Sequence, residues 1–253
     1  MRLRLARKAS AYARLLGILP PLAVLMGLTL SGCTTVTNVL APSALRVSID
    51  IKDYHQGTTQ VAIHFADHAL NTVEFVHGET VTCNGAFLKY DSGYYARMLG
   101  YGAYIGDVPL QPAGGAYTFV YTPASAAAGG DGASPITISV AVTHAPLAIT
   151  DPANGATVAI PQSGSFLAHY SPSGLAHSIV VGSASDSRAH TALSLALSDS
   201  GSARFNATDF KDFAPGAGIL SLSRITSSKP GGTPFAAVDA NYENITSISV
   251  TWQ

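Results

Sequence analysis

The chain has 253 residues, enough for one large domain or two of ordinary size, with 47% hydrophobic and 11% charged side chains. Its formal net charge is −1, but five of its 14 basic residues (Arg2, Arg4, Arg7, Lys8 and Arg14) fall in the first 32 positions, where there is no acidic one. The remainder holds nine basic against 15 acidic side chains, a net charge of about −6. That balance leaves no basic stripe to neutralise phosphates, so nucleic acid is excluded as a partner, and no polybasic patch for anionic lipid.

The basic opening is followed by the apolar run Leu15 to Leu30, interrupted by Pro20-Pro21. A membrane-spanning helix wants about 20 apolar residues, and the proline pair removes backbone donors, so an export signal is the better reading than a permanent span. The segment ends Leu30-Ser31-Gly32-Cys33, which resembles the lipobox of bacterial lipoproteins. The resemblance implies a thioether-linked diacylglycerol on Cys33, cleavage before it, and often acylation of the new amino group. Two acyl chains suffice for stable anchoring, because each buried methylene contributes about 0.8 kcal/mol. The expected location is outside the cytoplasm, on a cell membrane or outer membrane. With Cys33 lipidated, Cys83 is the remaining thiol and no intrachain disulfide can form.

Residues 1–32 are thus expected to be removed, 33–44 to form a lipidated tether, and 45–145 and 146–253 to form two domains. Leu45, Val47, Ile49 and Ile51 alternate with polar residues, the period of a half-buried strand. The alternation recurs at Val61-Ile63-Phe65, at Val73 and Phe75, at Tyr117-Phe119-Tyr121, and from Ile136 to Val142. Asn84-Gly85, flanked by Val81-Thr82-Cys83 and Ala86-Phe87-Leu88, is a strong hairpin signal because both central residues of a type I′ turn need positive φ. Ala124 to Ser134, rich in Ala and Gly, reads as a flexible loop. No stretch predicts an amphipathic helix.

Near residue 146 the pattern breaks and restarts. Asp151-Pro152-Ala153-Asn154-Gly155-Ala156-Thr157-Val158 resembles the opening strand of bacterial immunoglobulin-like and fibronectin type III-like repeats, where a proline and an Asn-Gly turn separate two short strands. Seven strand candidates follow: Phe166 to Tyr170, Ser178 to Val181, Ala192 to Leu197, Ser202 to Asn206, Ile219 to Ile225, Phe235 to Ala240 and Thr246 to Trp252. The resemblance implies an all-β chain of two tandem β-sandwiches.

Tyr90, Tyr94, Tyr95, Tyr101 and Tyr104, interleaved with glycines, form the candidate binding loop, since rigid aromatic faces stack on sugars or proteins at small entropic cost. The alternative is that these tyrosines line strand faces. His64, Asp67, His68, Glu74 and His77 combine imidazole with carboxylate and are weak candidates for a metal site. His64 is expected to face solvent and the others to lie on exposed hairpins. Cys83 reads as a small buried apolar residue. Asp151, Asp186 and Asp199 lack the spacing of a calcium loop and read as solvated turn residues. No nucleophile elbow, zinc helix or phosphate loop is present in the sequence, and no cofactor is expected. The leading expectation is a lipid-anchored, non-catalytic binding or structural module for protein or glycan. The alternative is an envelope hydrolase or metal-dependent enzyme without a recognisable motif.

Overall fold

The computed structural model describes residues 35–37, 39–54, 56–93, 102–124, 134–142, 146–196 and 198–253. The expected signal segment, Cys33, Tyr94, Tyr95, Tyr101 and most of the Ala/Gly-rich stretch lie outside them. The chain is all-β. Among the described residues there is no α-helix, only single 3-10 turns at Pro42–Ala44 and Ala207–Phe210.

The first half comprises β1 (Thr35–Val36), β2 (Arg46–Asp53), β3 (Thr58–Ala66), β4 (Thr72–Val73), β5 (Thr80–Cys83), β6 (Ala86–Phe87), β7 (Lys89–Asp91), β8 (Ala103–Pro109), β9 (Ala116–Thr122) and β10 (Ile136–Ala141). The second half comprises β11 (Ala148–Asp151), β12 (Thr157–Val158), β13 (Ser165–Ser171), β14 (Ser178–Asp186), β15 (Thr191–Ala196), β16 (Ser202–Asn206), β17 (Gly216–Ser228) and β18 (Ala237–Trp252).

One large sheet, in the order β1-β4-β3-β2-β18-β17-β14-β15, runs through both halves, with β7 and β8 added beside β3 and β12 beside β18. Sheet β10-β9-β5-β6 packs on its first half and sheet β11-β13-β16 on its second. Each layer buries alternate side chains. Val47, Ile49 and Ile51 of β2 face Tyr117, Phe119 and Tyr121 of β9 in one core, and Leu220 and Leu222 of β17 meet Phe205 of β16 in the other. Full burial of such side chains contributes about 1.5–3 kcal/mol each, so alternation alone holds the layers together without a disulfide. The Asn84-Gly85 turn takes its expected form, with φ of 47° and 83° closing β5 on β6.

Two expectations change. Phe235 to Ala240 and Thr246 to Trp252 are parts of one continuous region, because β18 runs unbroken through the polar stretch Asn241 to Ile245. Its neighbours make this possible: β17 pairs along almost its whole length, and β2 pairs in parallel with its first half. Phe235, Val238, Ala240 and Tyr242 accordingly pack in the first core, and Val250 and Trp252 in the second. A boundary at 146 therefore separates the cores only up to residue 234. Second, β8 forms where the sequence reads as loop, because its Gly106 permits close approach: the Leu88 side chain lies 2.8 Å from where a Cβ would stand.

Where the cores meet, the interior turns polar. Arg224 on β17 is fully buried, with Nε 3.1 Å from Asp199 Oδ2, and it donates from Nη2 to the carbonyl oxygen of Pro172. Its guanidinium lies over the Tyr170 ring, 5.7 Å from the centroid. Nearby, Asn244 Oδ1 accepts from the Leu147 backbone N–H at 2.8 Å, and the Tyr242 hydroxyl donates to Asp53 Oδ2 at 2.8 Å. Buried polar groups cost stability unless paired, and the Tyr242–Asp53 pair ties β18 to β2 of the other half.

Candidate functional site

The far end of the second layer opens into a cleft of roughly 800 Å³. Its floor is Phe210 and Phe213, held rigid by the indole of Trp252 at ring separations of 5.6 Å from each and by Phe166 at 6.1 Å from Phe210. One lip is Ile160 to Gly164. The backbone N–H of Ile160 donates to Gln253 O and that of Gln253 to Val158 O, which sews this lip to the end of β18. The lip turns at Gly164, whose φ of 71° suits glycine, and its carbonyl accepts from Ala207 N–H at 3.1 Å, joining it to the 3-10 turn.

The opposite wall is placed by Asp186 at the end of β14. Its Oδ2 accepts from the Ala214 N–H and from His190 Nδ1, each at 2.9 Å, and its Oδ1 accepts from the N–H groups of Arg188 and His190. Burial opposes ionisation of this carboxyl, but the hydrogen bonds from His190 and from those backbone groups outweigh it and hold it well below the usual carboxylate range.

Three primary amides (Gln162, Asn206, Gln253), two hydroxyls (Ser163, Thr208) and the ammonium of Lys211 line the cleft. No Asp, Glu, His or Cys is among its described lining residues. Such a surface can donate and accept hydrogen bonds over a rigid apolar floor and offers a positive charge to an anion.

Apart from Asp186, the described residues singled out from the sequence lie elsewhere. Tyr90 and Tyr104 are not on a loop: they are directly opposed in the β7/β8 ladder, with rings 5.2 Å apart. Tyr104 is buried against Phe65 and Phe75, and its hydroxyl oxygen accepts from the Phe75 N–H at 2.6 Å. Strand pairing outcompetes the loop that the interleaved glycines suggest, and Gly102 serves instead to make room for the Tyr90 ring. Tyr94, Tyr95 and Tyr101 lie outside the described residues.

His64 is half-buried rather than solvent-facing, 3.3 Å from the Thr72 hydroxyl, and burial pulls its pKa down to about 4. Asp67 caps its own turn by accepting from Ala69 and Asn71, His68 is exposed beside it, Glu74 lies just past β4, and the His77 ring contacts Thr37 O at 2.9 Å. No cluster of three or more potential metal ligands occurs among the described residues. Cys83 is fully buried, and burial pushes its thiol up to about 12. Asp186 and Asp199 are not solvated: their carboxylates are buried and committed to backbone N–H groups, while Asp151 is exposed.

Sequence reasoning misses the cleft because its lining is a set of common polar residues contributed by three separate segments, with no fixed spacing. The one local signal is the pair of phenylalanines in Phe210-Lys211-Asp212-Phe213, in a stretch without strand alternation. No known protein family matches the chain, and no curated protein matches it. No described helix is long and apolar enough to cross a membrane.

Proposed function

We propose that this protein is an exported lipoprotein, held by lipid on Cys33, whose two immunoglobulin-like or fibronectin type III-like layers form a non-catalytic module that binds a glycan in the distal cleft. The observation that carries this reading is β18. It begins at Ala237, level with Arg46 of β2 and with Thr35 at the start of β1, and it finishes at Trp252, beside the cleft. At about 3.3 Å per residue, this strand holds the cleft roughly 50 Å from that end. A rigid strand shared by both layers suits a binding site that must reach past an envelope surface.

The lining supports a hydroxyl-rich ligand, since amides and hydroxyls pair with sugar hydroxyls and Lys211 suits a sugar carboxylate. Binding of the unlipidated protein to an array of envelope and host glycans tests this. The expected result is selective binding that Lys211→Ala and Asn206→Ala each weaken by about tenfold, the loss of one or two good hydrogen bonds. Binding that survives both substitutions but is lost on replacing Tyr94, Tyr95 and Tyr101 would move the site to the tyrosine segment.

A further inference from the structure

The first strand fixes the end of the sheet at which the described chain begins. Thr35 pairs in parallel with Thr72, so the chain preceding Thr35 leaves the sheet on the side from which Leu70 and Asn71 approach. In sequence Cys33 is two residues before Thr35, and two residues of extended chain reach at most about 7 Å. Two residues of the expected tether are pinned: Glu74 N–H donates to Val36 O at 3.0 Å, and His77 contacts the carbonyl of Thr37. Little free chain separates a lipid on Cys33 from the folded body.

The β3–β4 turn at that end carries Ala69 and Leu70 in the open. Leu70 is 52% exposed and has φ of 66°, a left-handed conformation in which a leucine costs about 1 kcal/mol or more. Glycine or asparagine is the ordinary choice there. Neither packing nor backbone geometry accounts for the leucine. The same end presents two cations, Arg46 and Lys229, the latter 3.8 Å from Asp239. Ala236 N–H donates to Leu45 O, which holds the 229–236 loop to this end. The Asp67 carboxylate is taken up inside the turn by Ala69 and Asn71, so its charge is partly offset there.

We infer that the β3–β4 turn is a membrane-docking tip: Leu70 enters the lipid interface beside the acylated Cys33, with Arg46 and Lys229 at phosphate level, so that the molecule stands end-on. The inference rests on the lipoprotein reading above. The sum is a lipid anchor that fixes position and a single wedge that fixes orientation, in the manner of an interfacial residue buried about 5–10 Å into the headgroup boundary.

The test uses the full-length processed protein on vesicles of phosphatidylethanolamine and phosphatidylglycerol with brominated acyl chains. An environment-sensitive dye is placed at Ala69→Cys or, as the control, at Ser163→Cys on the distal lip. Cys83 is fully buried, and an acylated Cys33 has no free thiol. The expected result is loss of roughly half the fluorescence at position 69 and none at 163, given the short reach of contact quenching. Adding Leu70→Gly should abolish most of that quenching while leaving thermal stability unchanged or raised, because glycine relieves the left-handed φ. Equal quenching at both positions, or none at 69 on protein whose Cys33 is acylated by mass spectrometry, overturns the docking tip alone. An unmodified Cys33 in that mass spectrum overturns the anchor reading and the tip with it.

Discussion

Arg224 and Asp199 meet at 3.1 Å with both side chains fully buried, at the point where the two hydrophobic cores adjoin. Removing one partner of a buried pair leaves an uncompensated charge, which costs about 3–5 kcal/mol, whereas replacing both with apolar residues is often far milder. Asp199→Ala should therefore destabilise the protein by several kcal/mol in urea unfolding followed by Trp252 fluorescence. Arg224→Met combined with Asp199→Ala should recover much of that loss. Additive losses would show that the pair is not coupled.

Trp252 lies across Gly218 and donates from Nε1 to Ser185 O at 2.9 Å. A methyl group at Gly218 collides with the indole, so Gly218→Ala should cost about 1–3 kcal/mol by overpacking and disturb the cleft floor with it. Gly231→Ala is the comparison, since nothing lies within 4 Å of its Cβ position. Its stability should be unchanged or slightly higher. Thermal melting of the two variants measures the contrast.

His64 makes stability fall with acid. Burial lowers its folded pKa to about 4 from the ordinary 6.5, so the unfolded chain binds the proton more readily. Its contribution is complete above pH 6.5 and is lost as pH falls toward 4. The whole loss is about 3 kcal/mol, since each tenfold difference in proton affinity between the folded and unfolded chain is worth about 1.4 kcal/mol. His64→Gln should flatten the urea midpoint between neutral pH and the lower pKa. Asp186 acts lower still: its depressed pKa means that its contribution is present above the ordinary carboxylate range and lost only below it.

Cys83 is buried, and its thiol is raised to about 12 by that burial. At mildly alkaline pH a maleimide or disulfide reagent should modify it at least about 100-fold more slowly in the native protein than in urea, because reaction needs the thiolate and access. Comparable rates in the two states would mean that the β5–β9 layer opens readily.

Much of the fold is legible in the sequence because one-sided burial writes itself as alternation. Val47 to Ile51, Tyr117 to Tyr121 and Ile136 to Val140 all read as strands and are strands. Asn84-Gly85 identifies its hairpin through its φ demands. Alternation fails where pairing rather than patterning decides the structure. At Asn241 to Ile245 the strand continues through polar residues because β2 and β17 flank it. At Ala103 to Pro109 glycines disguise a strand whose partner, β3, lies far upstream. The buried roles of Asp186 and Asp199 are hidden for the same reason, since their partners at Ala214 and Arg224 are distant in sequence. The cleft depends on the meeting of three segments, which no local window contains.

The proposed lipid-anchored module would carry its cleft on the end of β18, away from the membrane. Energy transfer from a donor dye at Ser163→Cys to acceptor-labelled lipid headgroups measures that height directly on the acylated protein. An end-on molecule predicts a distance of roughly 50 Å, the contour of β18 at about 3.3 Å per residue. A distance under about 20 Å, which only a molecule lying flat along its strands would give, contradicts it.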